Sequence, residues 1–518
     1  MAKKASAAKK ASPAKKPAAK KPAKKPAAKK GSAAGQLRVR MYRVGFGDFF
    51  LFTVPSPAGP QHILIDCGVT KGKTGTGDIG TIKAAVKHMA DETGGKLALI
   101  IVTHRHMDHI IGFSRCKEVF ENLKEVGAIW MPIWETEYEE DIKKFGFDFK
   151  GFQEELTSLA TDAGMHLALA ADDTPDRAEL LAMLENATGA DFTPGGAFGA
   201  AGTGGGTNKA SLLLLKEGMG VKPTYYQKGQ KAELPQALVD AGLEAEILGP
   251  PPVDEMAFMK LKDLKKGVGQ YLGASERRTD RDGDDTSSLR PFAKRFTAAA
   301  DNYPPSAFRE WALRPTGAPP KIDPEARYPE ALQKAVDDAQ PEVLLTAIKQ
   351  LDGFLNNQSL VVLFTFGGKK LLFAGDAQAG NWEYWLYDSD TPVKAPEGEL
   401  GEQGAQVLGH LDFYKVGHHG STNATPIAAV EAMKGVHGFV SMCSTQHGAF
   451  GSEENQSEVP RAPLMDALAA KSVLVRSDQV PLDHEGTKVP AVPGSPKKLE
   501  APKQGKLKVG SCYVDYLL

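Results

Sequence analysis

Two short stretches of the chain concentrate side chains that can bind metal. The first, THRHMDH, supplies His104, His106, Asp108 and His109 within six residues. The second, VGHHGST, supplies His418, His419 and Ser421. Neutral imidazole and carboxylate are the usual zinc donors where thiolates are absent. THRHMDH follows directly on the apolar run 97–103, and its spacing fits a loop rather than a helix. In such a loop His104 and His106 point one way while Asp108 and His109 turn toward a second ion. A polar surface turn is the bland alternative, and ligand density of this kind after a buried-type strand argues against it. Two further signals are weak alone: Asp376 ends the apolar run of LLFAGD, and Asp66 ends that of LIDCG. Taken jointly, four apolar runs each end in a ligand-type residue. Those ends must meet at one edge of a sheet, a rigid scaffold carrying a site in its loops.

The elements that would position these residues can be read from periodicity. LRVRMYRVG and FFLFTV read as paired strands, and QHILIDCG as a third. DIGTIKAAVKHMADETG has helical apolar spacing with a glycine stop. LALIIVT is a short buried-type strand leading into His104, and GAIWMPIW is another. Helical segments follow near 150–164 and 176–187. The Gly/Thr-rich loop after them lacks GxxxxGK[ST] and is no P-loop. ALVDAGLEAEILGPP reads as helix then strand. LVVLFTF and KKLLFAGD form a hairpin around Gly367-Gly368. LDFYKVG, GFVSMCS and SVLVRS are further strands, and SCYVDYLL closes the sheet. The expected class is α/β or α+β with packed layers. Residues 37–518 form one domain, with insertions at about 129–220 and 255–345.

Composition bounds the setting. The chain has 518 residues, 42% hydrophobic and 25% charged, as in a globular protein. Cys67, Cys116, Cys443 and Cys512 form no CxxC pair, so a disulfide framework or zinc knuckle is not expected, and a reducing cytoplasm is. No apolar run approaches the roughly 20 residues of a membrane span. The net charge of −1 conceals an asymmetry. Of the 63 basic residues, 12 lysines lie in residues 1–36, where none of the 64 acidic residues occurs, so the remainder carries −13. The Lys/Ala/Pro-rich tail 1–36 is expected to be disordered and to attract nucleic acid phosphates by counterion release.

With these motifs in view, the sequence resembles the metallo-β-lactamase superfamily: HxHxDH, a preceding strand-terminal Asp, a later Gly-Asp and a final His, in that order. VGFGDFFL (44–51), ILGPP (247–251), NNQSLVV (356–362), LLFAGDAQ (371–378) and KVGHHGST (415–422) are similar to blocks of the hydrolase domain of the ComEC family of DNA-uptake proteins. The membrane channel of that family has no counterpart here. The resemblance implies an αββα sandwich with two divalent metals at one edge. It places His104 and His106 on the first metal, Asp108, His109 and His418 on the second, and Asp376 between both. Asp66 would brace the metal-binding loop. A further histidine of many superfamily members is replaced by Asn356-Asn357-Gln358-Ser359. Water or the Asn356 oxygen would fill in, so manganese stands beside zinc as the expected ion. The family's C-terminal His-Pro corresponds to Val459-Pro460, and His447 is no clean substitute. His62, His88, His166, His410, His437 and His484 read as surface or packing residues, and Trp382 as core. Asp48 reads either as a site-edge residue or as a simple turn former.

The chemistry implied is hydrolysis by hydroxide on the metals, with Asp108 or Asp376 orienting it and His419 and Ser421 donating to a substrate oxygen. A phosphodiester of nucleic acid is the expected substrate. The alternatives are a small ester, lactone, thioester or cyclic nucleotide, or a non-enzymatic nucleic-acid-binding protein on the same scaffold. The oligomeric state is not legible.

Overall fold

The computed structural model describes residues 35–70, 81–136, 208–255, 258, 353–389, 399–434, 438–451, 453, 457–484 and 487–518. The tail up to residue 34, the segments near 150–164 and 176–187 expected to be helical, the Gly/Thr-rich segment and nearly all of the 255–345 insertion lie outside them.

Long apolar runs with little alternation, such as FFLFTV and VSMC, form strands buried on both faces. The strands of the first half are β1 (Arg38–Tyr42), β2 (Phe49–Val54), β3 (Gln61–Cys67), β4 (Lys96–Leu97), β5 (Leu99–Ile101), β6 (Glu125–Val126), β7 (Ile129–Pro132) and β8 (Thr224–Tyr226). The second half supplies β9 (Leu243–Gly249), β10 (Val361–Phe366), β11 (Lys369–Phe373), β12 (Phe413–Lys415) and β13 (Val440–Cys443). It ends with β14 (Val473–Arg476), β15 (Leu482–His484), β16 (Thr487–Val489), β17 (Lys506–Val509) and β18 (Tyr513–Leu517). One large sheet runs β17-β18-β1-β2-β3-β5-β7-β8 and the other β14-β13-β12-β11-β10-β9. Two short pairs, β4 with β6 and β15 with β16, stand apart. The C-terminal strand β18 pairs with β1 on one side and β17 on the other, so it lies inside the sheet and β17, not SCYVDYLL, forms the edge. Gly367 and Gly368 both have positive φ, which the tight turn from Phe366 to its partner Lys369 requires.

The two sheets pack face to face. Phe52 of β2 meets Phe364 and Phe373 of the other sheet with ring centroids 5.3 and 6.0 Å apart. Val39, Phe50, Ile63 and Ile101 from one sheet share a core with Val362, Phe413, Val440 and Val475 from the other. Each fully buried side chain of this size contributes about 1.5–3 kcal/mol. The alternate residues, Phe49, Leu51, Leu64 and Ile100, face outward under α1 (Thr81–Thr93), α2 (Met107–Arg115) and α3 (Lys117–Glu121). α4 (Asn208–Leu213) packs beside α2, and α5 (Gln236–Ala241) tucks Leu238 into the inter-sheet core. The far face of the second sheet is covered by α6 (Ala379–Leu386), α7 (Glu402–Leu408), α8 (Ile427–Ala432) and α9 (Ala462–Lys471). The architecture is α/β in four layers, helix–sheet–sheet–helix. No helix among the described residues is long and apolar enough to cross a membrane. All four cysteines are buried and free.

One expectation is corrected here. The HxHxDH segment is a loop only through His106, and Asp108 and His109 lie in the first turn of α2. The helix forms because Ile110, Ile111 and Phe113 bury against the outer face of the first sheet, a helical spacing that the dense ligands of the motif obscure.

His62 on β3 gives the fold a pH dependence. It is buried beside Thr53, whose hydroxyl lies 3.1 Å from Nδ1. Burial, then Arg38, lower its pKa from 6.5 to about 4, with Glu92 opposing and Arg40 assisting. The folded protein therefore holds His62 neutral where the unfolded chain takes up a proton. This contribution to stability is fully present above pH 6.5 and is lost as pH falls toward 4. Urea midpoints measured between those pH values should drop with acidification. The drop should be shallower in His62→Gln, and equal slopes in both proteins would refute the assignment.

Candidate metal centre

The strands β3, β5 and β7 are mutually parallel, and so are β11, β12, β13 and β14. Parallel neighbours end at the same edge, so their C-terminal loops gather there. Asp66 lies at the end of β3, and the loops carry His104, Asp376, His418 and Ser444. Convergence of separate sequence segments thus follows from topology.

Asp108, His109, Asp376 and His419 each offer one ligand atom, and these atoms all lie within 4.8 Å of one another. Asp48, Asp66 and His109 form a second such group. All six residues are buried. His109 Nε2 is 3.0 Å from Asp376 Oδ2, and His419 Nε2 is 2.9 Å from Asp108 Oδ2. The His104 ring borders both His106 and His109, at centroid distances of 4.7 and 4.1 Å.

The opposite nitrogens of the imidazoles are tethered. His109 Nδ1 is 2.8 Å from Asp66 Oδ2, and His419 Nδ1 donates to the Ser444 carbonyl at 2.8 Å. His104 Nδ1 lies 3.1 Å from the Thr103 hydroxyl and 3.4 Å from that of Ser359. Partners of this kind fix ring orientation and leave Nε2 to face the centre, the arrangement found around metal-ligating histidines. Asp66 also accepts from the Thr103 amide at 2.8 Å and the Thr103 hydroxyl at 2.7 Å, locking the end of β5 to that of β3.

Charge is concentrated here. Burial opposes ionisation of Asp376, but His109, Lys415 and His419 hold it well below the usual carboxylate range. Burial likewise disfavours charge on His109, yet Asp376, Asp66 and Asp108 together raise it well above the ordinary histidine value. His104 is driven the other way, by burial and by His109 and His106, and stays neutral. The Lys415 ammonium donates to the Gly375 carbonyl at 2.9 Å, lies 3.3 Å from Asp376 Oδ1 and ion-pairs with Asp48.

The donor set fits divalent cations. It is made of imidazole nitrogen and carboxylate oxygen, the ligands that suit zinc and manganese. Two buried ligand-type atoms, His104 Nε2 and Asp108 Oδ1, have no hydrogen-bond partner. An unsatisfied buried polar atom costs about 1–3 kcal/mol, so a pair aimed into one cluster suits a coordinated ion.

Glycines let the loops close. A Cβ on Gly68 would sit 2.1 Å from the Asp108 carbonyl carbon, where the loop after β3 crosses the start of α2. Gly375, at φ +55°, would bring a Cβ to 2.9 Å from Thr103. Larger residues at either point would push the ligand-bearing loops apart.

Of the residues singled out in the sequence, Asp108, His109 and Asp376 come together, with His104 and His106 beside them and Asp66 behind His109. The two histidines of HHGS take different places. His419 joins the carboxylates. His418 lies beside the cluster, its Nδ1 2.8 Å from both Asn423 Oδ1 and the Ser421 hydroxyl, while its backbone amide donates to Asp376 at 2.9 Å. Both have positive φ, 42° and 51°, so the chain reverses sharply between them and the second ring turns inward. The Ser421 hydroxyl also donates to Asn423. Asn356 is buried in the turn leading to Ser359, whose hydroxyl accepts from the Asp376 amide at 3.0 Å. His447 is 41% exposed, near Glu453. Trp382 is core, stacked near Trp385. His88 packs on Tyr42 and Tyr513, and His410 is exposed.

Sequence reasoning missed Lys415 and left Asp48 undecided. Lys415 was marked by its charge between the apolar residues Phe413, Tyr414 and Val416, a position that a buried partner justifies.

No protein-family model matches the sequence, and no curated protein matches it.

Proposed function

We propose that the chain is a metal-dependent hydrolase of the metallo-β-lactamase superfamily, similar to the ComEC branch, acting on phosphodiesters of nucleic acid. The observation that carries this reading is the common orientation of His109 and His419, each with Nδ1 tethered and Nε2 within 3.0 Å of an aspartate oxygen. Two divalent ions bound there would supply Lewis acidity and lower the pKa of water.

The residues have distinct parts in this reading. His104, His106, Asp108, His109 and Asp376 hold the ions, with zinc first and manganese second. HHGS contributes the last imidazole, and the geometry favours His419 over His418. Asp66 and Thr103 fix the His109 ring. Lys415 pins Asp376 from behind, leaving its Oδ2 toward His109 and His419. His418 and Ser421 sit on the adjoining loop, where a substrate oxygen would pass. The phosphodiester assignment draws on the motif resemblance and on the lysine-rich tail.

The test is hydrolysis of bis-p-nitrophenyl phosphate and of single-stranded DNA by the zinc- or manganese-loaded chain. Both should be cleaved, and chelation should stop both. A fully loaded chain that cleaves neither would contradict the phosphodiester assignment and redirect the search to carboxylic esters and lactones.

A further inference from the structure

A basic segment late in the sequence lies at one edge of the first sheet. Lys497, Lys498, Lys503, Lys506 and Lys508 lie in twelve residues that contain a single acid, Glu500. All five are exposed. The last two are on β17, the edge strand. In register, Lys506 pairs with Leu517 and Leu517 with Arg38. The Leu518 amide donates to the Leu37 carbonyl at 2.9 Å. Arg38, at the start of β1, therefore lies two strand spacings, roughly 10 Å, from Lys506.

Apart from the exposed Glu500, nearby acids are engaged with other cations. Glu92 pairs with Arg38 at 2.7 Å, Asp515 with Arg40 at 2.6 Å and Asp412 with Lys369 at 2.9 Å. None of the five lysines has an ion-pair partner among the described residues. The edge is thus a local positive surface on a body whose net charge outside residues 1–36 is −13. Lysines on an edge strand also guard against edge-to-edge pairing. That role accounts for Lys506 and Lys508, but not for Lys497, Lys498 and Lys503, which precede the strand.

The surface lies at the end of the sandwich opposite the metal cluster. The Lys503 stem lies against Gly438, before the start of β13, whereas Ser444 at the other end of β13 meets His419. A short substrate cannot touch both ends, but a long polyanion can.

We infer that the β17 edge with the 497–503 segment is a docking surface for the phosphate backbone of nucleic acid, apart from the hydrolytic site. The inference rests on the reading of the substrate as nucleic acid. It deepens that reading by assigning affinity for long strands to this edge.

The test is anisotropy of a labelled single-stranded DNA of about thirty nucleotides, long enough to reach more than one binding region. It is titrated with the full-length chain in EDTA, so that binding is read without turnover. The variant changes all five lysines to glutamine, with circular dichroism and melting confirming that it folds. Each lysine–phosphate pairing removed should reduce the slope of log affinity against log salt by about 0.7, up to about 3.5 for all five. Affinity at low salt should fall at least tenfold. An unchanged slope would overturn the proposal and leave the lysines as a solvated edge. So would lysine-dependent binding to anionic phospholipid vesicles without binding to DNA. Hydrolysis of bis-p-nitrophenyl phosphate reports separately on the hydrolytic site, so failure of either reading is distinguishable from failure of the other.

Discussion

Asp376→Asn should lower hydrolysis of bis-p-nitrophenyl phosphate by well over a hundredfold and weaken metal binding as well. Loss of an outer partner costs about 10–100-fold in metal affinity or activity, and Asp376 is central rather than outer. Its Oδ2 faces His109 at 3.0 Å and His419 at 3.7 Å, and its Oδ1 faces the His418 amide at 2.9 Å and Lys415 at 3.3 Å. Asparagine keeps the shape but removes the charge that offsets the cations gathered around it. An amide nitrogen on either side would also oppose a donor. The check is a pair of measurements on one sample, kcat/KM and metal per chain. Near-normal activity at full metal loading would show that Asp376 is not a ligand.

Asp515→Ala should destabilise the fold by about 3–5 kcal/mol, the cost of leaving a buried charge without its partner. Arg40 is 2% exposed and makes two parallel bonds to Asp515, from Nε at 2.6 Å and Nη2 at 2.9 Å. The Tyr513 ring lies 3.5 Å beneath its guanidinium carbon. This pair ties the last strand, β18, to the first, β1. Glu92, 3.7 Å away and partly exposed, is a poor substitute. Urea unfolding measures the loss directly. A change under about 1 kcal/mol would place the pair with ordinary surface ion pairs.

Most of the layer structure was legible because it depends on apolar runs alone. LALIIVT and FFLFTV are buried on both faces, so no face had to be assigned. The Gly367-Gly368 turn was legible because only glycine readily supplies two successive positive φ values. The start of α2 was not. Ligand spacing in HMDH is compatible with loop or first turn, and the deciding contacts of Ile110, Ile111 and Phe113 are tertiary. The same holds for His418 and His419. Which ring enters the cluster depends on two left-handed residues in a turn, and adjacent histidines carry no sign of that. Asp66 was read as a brace, and its bonds to Thr103 and His109 have that geometry. The Lys415–Asp48 pair joins residues 367 positions apart in sequence, beyond the reach of any local pattern.

The central claim, that this buried Asp/His cluster is a divalent-metal site, is tested most directly by elemental analysis of protein purified without chelator. The wild type should hold about two zinc or manganese ions per chain, as in two-metal hydrolases. His104→Ala/Asp376→Ala should hold well under one. A wild-type chain that stays metal-free after equilibration with zinc and with manganese, while folded, would contradict it.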